Sequence, residues 1–296
     1  MLNYLVIISS LLVGILLQKH SHALLRRVNL FILFVPLPAT ILLNIPKIQW
    51  SLELIPVMMT AWVIFAGAAI FFSLVGKWRG WDLKLIVCLI LTAGHGNTSF
   101  VGFPVLRALF GEESLRYAVL VDQPGTFLIC STFGVFLATK FSTPVGLSEV
   151  LKKVLIFPPF VAFVLALVLG VSGFSFSGLS ESGLQVLAWL LPPLAFISVG
   201  LQLRLRAIIE ERVGLAWGLG YKLIIAPILI LGLLEIFAVP KAAAQVMLME
   251  AAMAPMITSS ILAASAHLYP RLAGVMVGVG VPLSFITLSV WYFLFI

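Results

Sequence analysis

Gly94-His95-Gly96-Asn97-Thr98-Ser99-Phe100-Val101-Gly102-Phe103-Pro104 interrupts an apolar run that would otherwise read as one helix. Glycine weakens a helix interior by about 1 kcal/mol relative to alanine. Proline removes a backbone donor and clashes with the preceding turn. A second apolar run is interrupted in the same way by Glu250-Ala251-Ala252-Met253-Ala254-Pro255-Met256-Ile257-Thr258-Ser259-Ser260. Backbone freed at membrane depth is tolerated only inside protein or beside a water-filled cavity. A pair of discontinuous helices at corresponding places in two halves of a chain points to a transporter's binding site.

The composition puts these breaks in a membrane. The chain is 62% hydrophobic and 10% charged, against about 45–50% and about 25% in soluble domains. The apolar surplus has to face lipid. A spanning helix needs roughly 20 residues, so the 296 residues divide into ten spans: 2–18, 28–45, 54–75, 84–109, 115–139, 154–172, 183–203, 212–234, 241–266 and 272–295. The expected fold is an all-α integral membrane protein. No room remains for a soluble catalytic or signalling domain, which argues against an enzyme and against a receptor. A channel would need a continuous polar stripe, whereas the polar clusters sit at the breaks. Cys88 and Cys130 lie inside apolar runs and read as small core residues, so neither a disulfide nor a metal centre is expected. No cofactor is implied.

The cations set the direction. Lys19, Arg26, Arg27, Lys77, Arg79, Lys84, Lys140, Lys152, Lys153, Arg204, Arg206, Arg212 and Arg271 fall on one set of alternate loops. Only Lys47, Arg107, Arg116 and Lys241 fall on the other. The thirteen-to-four split makes the first side cytoplasmic and puts both termini outside. The net charge of +7 is thus topological and implies no nucleic-acid partner. The first segment reads as a retained helix, because its positive charges follow the apolar run, unlike those of a signal peptide. Trp50, Trp78, Trp81 and Trp291 fall near the expected interfaces, as belt residues do.

Five spans make an odd unit, and a second copy would insert upside down. Pro124-Gly125-Thr126-Phe127 is echoed by Pro282-Leu283-Ser284-Phe285, and Pro36-Leu37-Pro38-Ala39 by Pro192-Pro193-Leu194-Ala195. The expected organisation is therefore two inverted five-helix repeats, 1–145 and 146–296, with broken fourth and ninth helices at equivalent places in the two halves.

Helix ends supply the expected chemistry. A resumed helix presents N–H groups and partial positive charge. Pro255 suits a first helical position, and Thr258, Ser259 and Ser260 follow it with hydroxyls. Asn97, Thr98 and Ser99, with Pro104 beyond them, cap or line the other break. Together they form an expected carboxylate site, with Gln123 as a lining amide. Asp122, Lys222 and Glu250 fall inside spans, where ionisable residues are functional candidates. Asp122 and Glu250 are candidates for binding a coupling proton or cation. Lys222 either attracts the substrate anion or pairs with a carboxylate. His95 reads as a loop or capping histidine, with a proton relay as the alternative.

The run Gly96-Asn97-Thr98-Ser99-Phe100-Val101-Gly102-Phe103-Pro104-Val105-Leu106-Arg107-Ala108-Leu109-Phe110-Gly111 resembles the auxin efflux carrier family. Ser198-Val199-Gly200-Leu201 and Tyr269-Pro270-Arg271-Leu272-Ala273 are similar to it as well. The resemblance covers essentially the whole chain. It implies broken fourth and ninth helices that cross near the midplane, a scaffold of spans 1, 2, 6 and 7 and an elevator-type moving unit of spans 3–5 and 8–10. It also implies secondary transport of a small organic anion, such as a carboxylate or dicarboxylate. A homodimer is compatible with it. The long cytoplasmic insertion of plant members is absent, which fits a compact bacterial-type protein of the inner membrane. Glu250 before the second break resembles instead the bile acid:sodium symporter fold, and implies sodium near Glu250.

Overall fold

The computed structural model describes residues 2–17, 22–47, 54–142, 148–149, 152, 155–174, 176–202 and 205–295. Lys19, Lys153, Arg204, Trp50 and the 145/146 repeat boundary lie outside them. Among the described residues the elements are helices, joined at one place by an isolated β-bridge. Five helical stretches among the described residues are long and apolar enough to cross a membrane: Ala23–Leu43, Ile55–Arg79, Leu115–Phe141, Arg212–Ile236 and Pro270–Phe295. Ile70, Leu74, Phe293 and Leu294 are large, apolar and exposed, as lipid-facing side chains are. The chain is an integral membrane protein.

The spans read from sequence need local correction. The second helix begins at His22 rather than 28, so Arg26 and Arg27 ride on its exposed surface instead of a loop. It is interrupted at Val35, just before Pro36. The seventh begins at Gly178 rather than 183, and a turn at Leu190 separates Gly178–Trp189 from Leu191–Gln202. Proline near the start of the following helix explains both interruptions, because it suits a first turn and not an interior.

The chain forms two compact units, one of Met1–Gln49 with Gly146–Arg204 and one of Trp50–Val145 with Leu205–Ile296. In the first, Leu2–Leu16 packs along Leu191–Gln202. Gly14 and Gly200 let these two backbones touch: a Cβ on Gly200 would sit 2.7 Å from Gly14 Cα and 2.8 Å from Ile15 N. Small residues allow such crossings in lipid, where van der Waals packing replaces the hydrophobic effect. Ser198 adds a buried hydrogen bond to Asn29 Oδ1 at 2.5 Å. Because backbone on the facing helix cannot yield, Gly200→Val is expected to destabilise by about 1–3 kcal/mol or more, read as a lowered thermal midpoint in detergent.

The second unit holds both sequence breaks. Asp82 caps Leu83–Ala93 by accepting from the Leu85 N–H at 2.9 Å, and the Tyr269 hydroxyl donates to the same carboxylate. This ties the start of one broken helix to the turn after the other. Partial burial works to raise the Asp82 carboxyl, but bonds from Tyr269 and the Leu85 and Lys84 amides outweigh it and hold it below its usual value. The same bond, with burial, pushes the Tyr269 phenol up to about 12.

Candidate functional site

The two breaks satisfy one another. Leu83–Ala93 and Lys241–Ala251 each end where glycine, proline or small residues stop the ladder. The stranded backbone groups need partners, because buried N–H and C=O groups are costly to leave unpaired. Asn97 N–H donates to the Ala254 carbonyl at 2.7 Å, and Met256 N–H donates to the His95 carbonyl at 3.1 Å. Gly96 and Pro255 thus form an antiparallel bridge in the middle of a helical unit. Close approach favours the glycine, since a Cβ on Gly96 would lie a tight 3.2 Å from Lys222 Nζ and 3.3 Å from the Glu250 carbonyl oxygen.

Each chain then resumes as a helix pointing its start at the bridge. Asn97 Oδ1 accepts from Val101 N–H at 3.2 Å and caps the π-helical turn Thr98–Gly102, which leads into Phe103–Phe110 with Pro104 in its first turn. On the other side the helix is Ile257–Ser265, with extended Met256 as its cap. Pro255 therefore does not occupy the first helical position expected of it. The bridge bond holds Met256 extended, so winding starts only at Ile257. Thr258, Ser259 and Ser260 are buried in that first turn. Ser259 bonds back to the Met256 carbonyl at 3.1 Å, while Ser260 donates to the Ala273 carbonyl on the last helix. Ser260 thus secures the resumed helix to its neighbour.

The three intramembrane ionisable residues converge here, each 0–2% exposed. Asp122 accepts from Thr98 Oγ1 at 2.5 Å and from Gln123 Nε2 at 2.6 Å. Ser99 also contributes to stabilising its carboxylate, so the third residue of the Asn-Thr-Ser run has a place in the site. Lys222 Nζ donates to the Ala251 carbonyl at 2.7 Å, where a cation meets the negative end of the Lys241–Ala251 helix. Glu250 has no hydrogen-bond partner at either carboxylate oxygen among the described residues. Its carboxylate lies against the resumed first helix, where a Cβ on Gly102 would come within 2.7 Å of Oε2. Among the described residues no hydrogen bond or ion pair links the three, although Glu250 is in electrostatic reach of both Asp122 and Lys222. Lys222 is hydrogen-bonded by backbone, and its link to Glu250 is electrostatic rather than a direct ion pair.

Sequence reasoning missed how the charged residues are presented. Asp122 and Lys222 both sit on π-helical turns, Asp122–Phe127 and Tyr221–Ile225, a form that recurs at functional sites. Pro227 cannot donate to the Leu223 carbonyl four residues back; Trp291 Nε1 does so instead at 2.9 Å. Trp62 Nε1 bonds the Pro124 carbonyl at 3.1 Å in the other turn. Trp291 is thus a partner of the Lys222 turn, not merely a belt residue. The signal was legible as proline two residues beyond Asp122 and five beyond Lys222. His95 Nδ1 bonds the Leu91 carbonyl at 2.8 Å, near the end of the Leu83–Ala93 helix, with the ring 5.0 Å from that of Phe65.

Comparison with known proteins agrees with a transport role. Residues 8–292 match the membrane transport protein family. An uncharacterised transporter of Methanocaldococcus jannaschii is 28% identical over 291 residues, covering 94% of this chain and 91% of that protein. An uncharacterised transporter of Methanothermobacter thermautotrophicus is 27% identical over 267 residues, covering 89% and 86%.

Proposed function

This chain belongs to the membrane transport protein family, as its resemblance to the auxin efflux carriers implied, and from that premise we propose that it is a secondary carrier for a small organic anion. The observation that carries the reading is the bridge between the two breaks, with two resumed helices starting at one buried cluster of polar side chains. First-turn N–H groups at 98–100 and 257–259 have no preceding turn to bond and suit a carboxylate. Asn97 adds a side-chain amide whose Nδ2 has no partner among the described residues.

In this reading the ten spans form two inverted five-helix repeats in a plasma membrane, with both termini outside. The unit of Met1–Gln49 and Gly146–Arg204 serves as scaffold, and the other unit carries the substrate. Coupling falls to Glu250. Formal charges of Asp122, Glu250 and Lys222 sum to −1, which repels an anion until one carboxylate is neutralised. Asp122 is already met by donors, whereas Glu250 is bare. A buried charge without a partner is costly, so Glu250 takes up a proton or a cation such as sodium. The bare pair of oxygens favours cation-coupled symport as the form of transport.

Uptake of radiolabelled mono- and dicarboxylates into proteoliposomes, with pH and sodium gradients imposed separately, tests the carrier. Saturable, gradient-dependent uptake of at least one acid is expected; absence of flux for every organic anion sinks the reading. Asn97→Asp keeps the cap oxygen for Val101 but replaces the amide donor with charge. It is expected to lower anion affinity by roughly tenfold to a hundredfold, since hydrogen bonds to charged groups contribute about 1.5–3 kcal/mol. Binding by calorimetry at an unchanged thermal midpoint checks this.

A further inference from the structure

Five buried polar atoms of the site lack a hydrogen-bond partner among the described residues: His95 Nε2, Asn97 Nδ2, Gln123 Oε1 and both Glu250 oxygens. Glu250 belongs to coupling and Asn97 to the anion. His95 and Gln123 remain, and neither atom suits a carboxylate. The Leu91 carbonyl can only accept, so His95 Nδ1 carries the ring proton. In the neutral imidazole the other nitrogen then presents a lone pair. Packing against Phe65 holds the ring in that orientation. Gln123 is fixed by the same logic. Its NH2 group faces Asp122, which leaves its oxygen as a second acceptor. Both side chains are 1–2% exposed. Each is oriented by the bond at its other end, and each offers a lone pair that water does not reach.

We propose that His95 is a specificity-determining residue which, with Gln123, selects organic acids that carry a hydrogen-bond donor, hydroxyl or N–H, beside the carboxylate. The inference rests on the organic-anion carrier reading. A substrate with a donor completes the buried acceptors. An analogue of equal charge without one leaves them unpaired, and sites built to bond a substrate donor reject such analogues strongly. Gln123 shares a π-helical turn with Asp122, and His95 supplies the carbonyl of the bridge. Donor recognition is therefore built into the same elements that hold the anion.

The test compares pairs matched in charge. Initial uptake by the full chain in proteoliposomes is measured for radiolabelled lactate against propionate, malate against succinate, and indole-3-acetate against 1-naphthylacetate. The first two pairs read a hydroxyl and the third an N–H. At least one donor-bearing acid is expected to exceed its partner by about tenfold or more in kcat/KM. His95→Phe keeps an aromatic ring beside Phe65 and removes the acceptor, together with the Nδ1 donor to the Leu91 carbonyl. It is expected to bring that ratio to about one while uptake of the partner lacking the donor is retained. Gln123→Met is expected to lower the same ratio, and serves where His95→Phe does not fold. Equal uptake within every pair by the wild-type protein overturns the inference, as does a ratio that survives in a folded His95→Phe. If no acid is transported at all, the carrier reading itself fails and this inference falls with it.

Discussion

Glu250→Gln is expected to abolish gradient-driven uptake and, at the same time, to raise the thermal midpoint of the protein. The two effects have one cause. Glu250 sits 1% exposed with neither oxygen bonded among the described residues. Glutamine has the same shape but takes up neither a proton nor a cation's charge. The formal charge of the site moves from −1 to zero, so the anion no longer needs a companion. Accumulation against a gradient then collapses to equilibration, while downhill exchange persists. Replacing a buried carboxylate that accepts no hydrogen bond with a neutral amide is expected to raise stability, because burying a charge costs more than burying a dipole, the usual sign when a residue serves function rather than stability. Uptake driven separately by pH and sodium gradients, beside thermal unfolding in detergent, reads both effects. Unchanged gradient dependence with a lowered midpoint would return Glu250 to a purely structural role. Asp122→Asn provides the contrast. Asp122 accepts from Thr98 and Gln123, so its loss disorganises a satisfied network and is expected to lower stability.

Much of this site is legible in residue order because helix breaking is local. Glycine and proline act within one turn, so 94–104 and 250–260 announce themselves without tertiary knowledge. Intramembrane Asp122, Lys222 and Glu250 stand out for the same reason: apolar surroundings make any charge conspicuous. What local reading lacks is pairing. The bond from Asn97 to Ala254 spans 157 positions in sequence, and the partner of Lys222 is a backbone carbonyl at 251, which no side-chain pattern encodes. Pro255 shows the cost of that gap. Taken alone it favours a first helical position, but the bridge bond at Met256 delays the helix to Ile257. The π-helical turns were missed because their cause is shared between helices: Pro227 withdraws a donor, and Trp291, 64 positions later, supplies it.

Lys222→Met is expected to be the most destabilising single exchange in the site, and Glu250→Gln is expected to rescue part of it. Lys222 is 0% exposed and donates to the Ala251 carbonyl at the end of a half-helix. Methionine fills the space but leaves that carbonyl without its charged donor. It also removes the cation whose charge offsets that of Asp122 at Glu250. Leaving a buried acceptor without its donor costs about 1–3 kcal/mol, and the loss of the offsetting charge at Glu250 adds to it. Adding Glu250→Gln removes one of the two stranded charges but does not restore the donor for Ala251. The double variant should therefore recover about 1–3 kcal/mol relative to additivity, and not the whole loss. Thermal midpoints of the four proteins in one detergent give the cycle directly. Strict additivity would mean that Lys222 acts on the Ala251 carbonyl alone, with no electrostatic share in holding Glu250. A positive coupling makes the lysine the counter-charge that keeps Glu250 poised, and accounts for a cation so deeply buried beside an anion site.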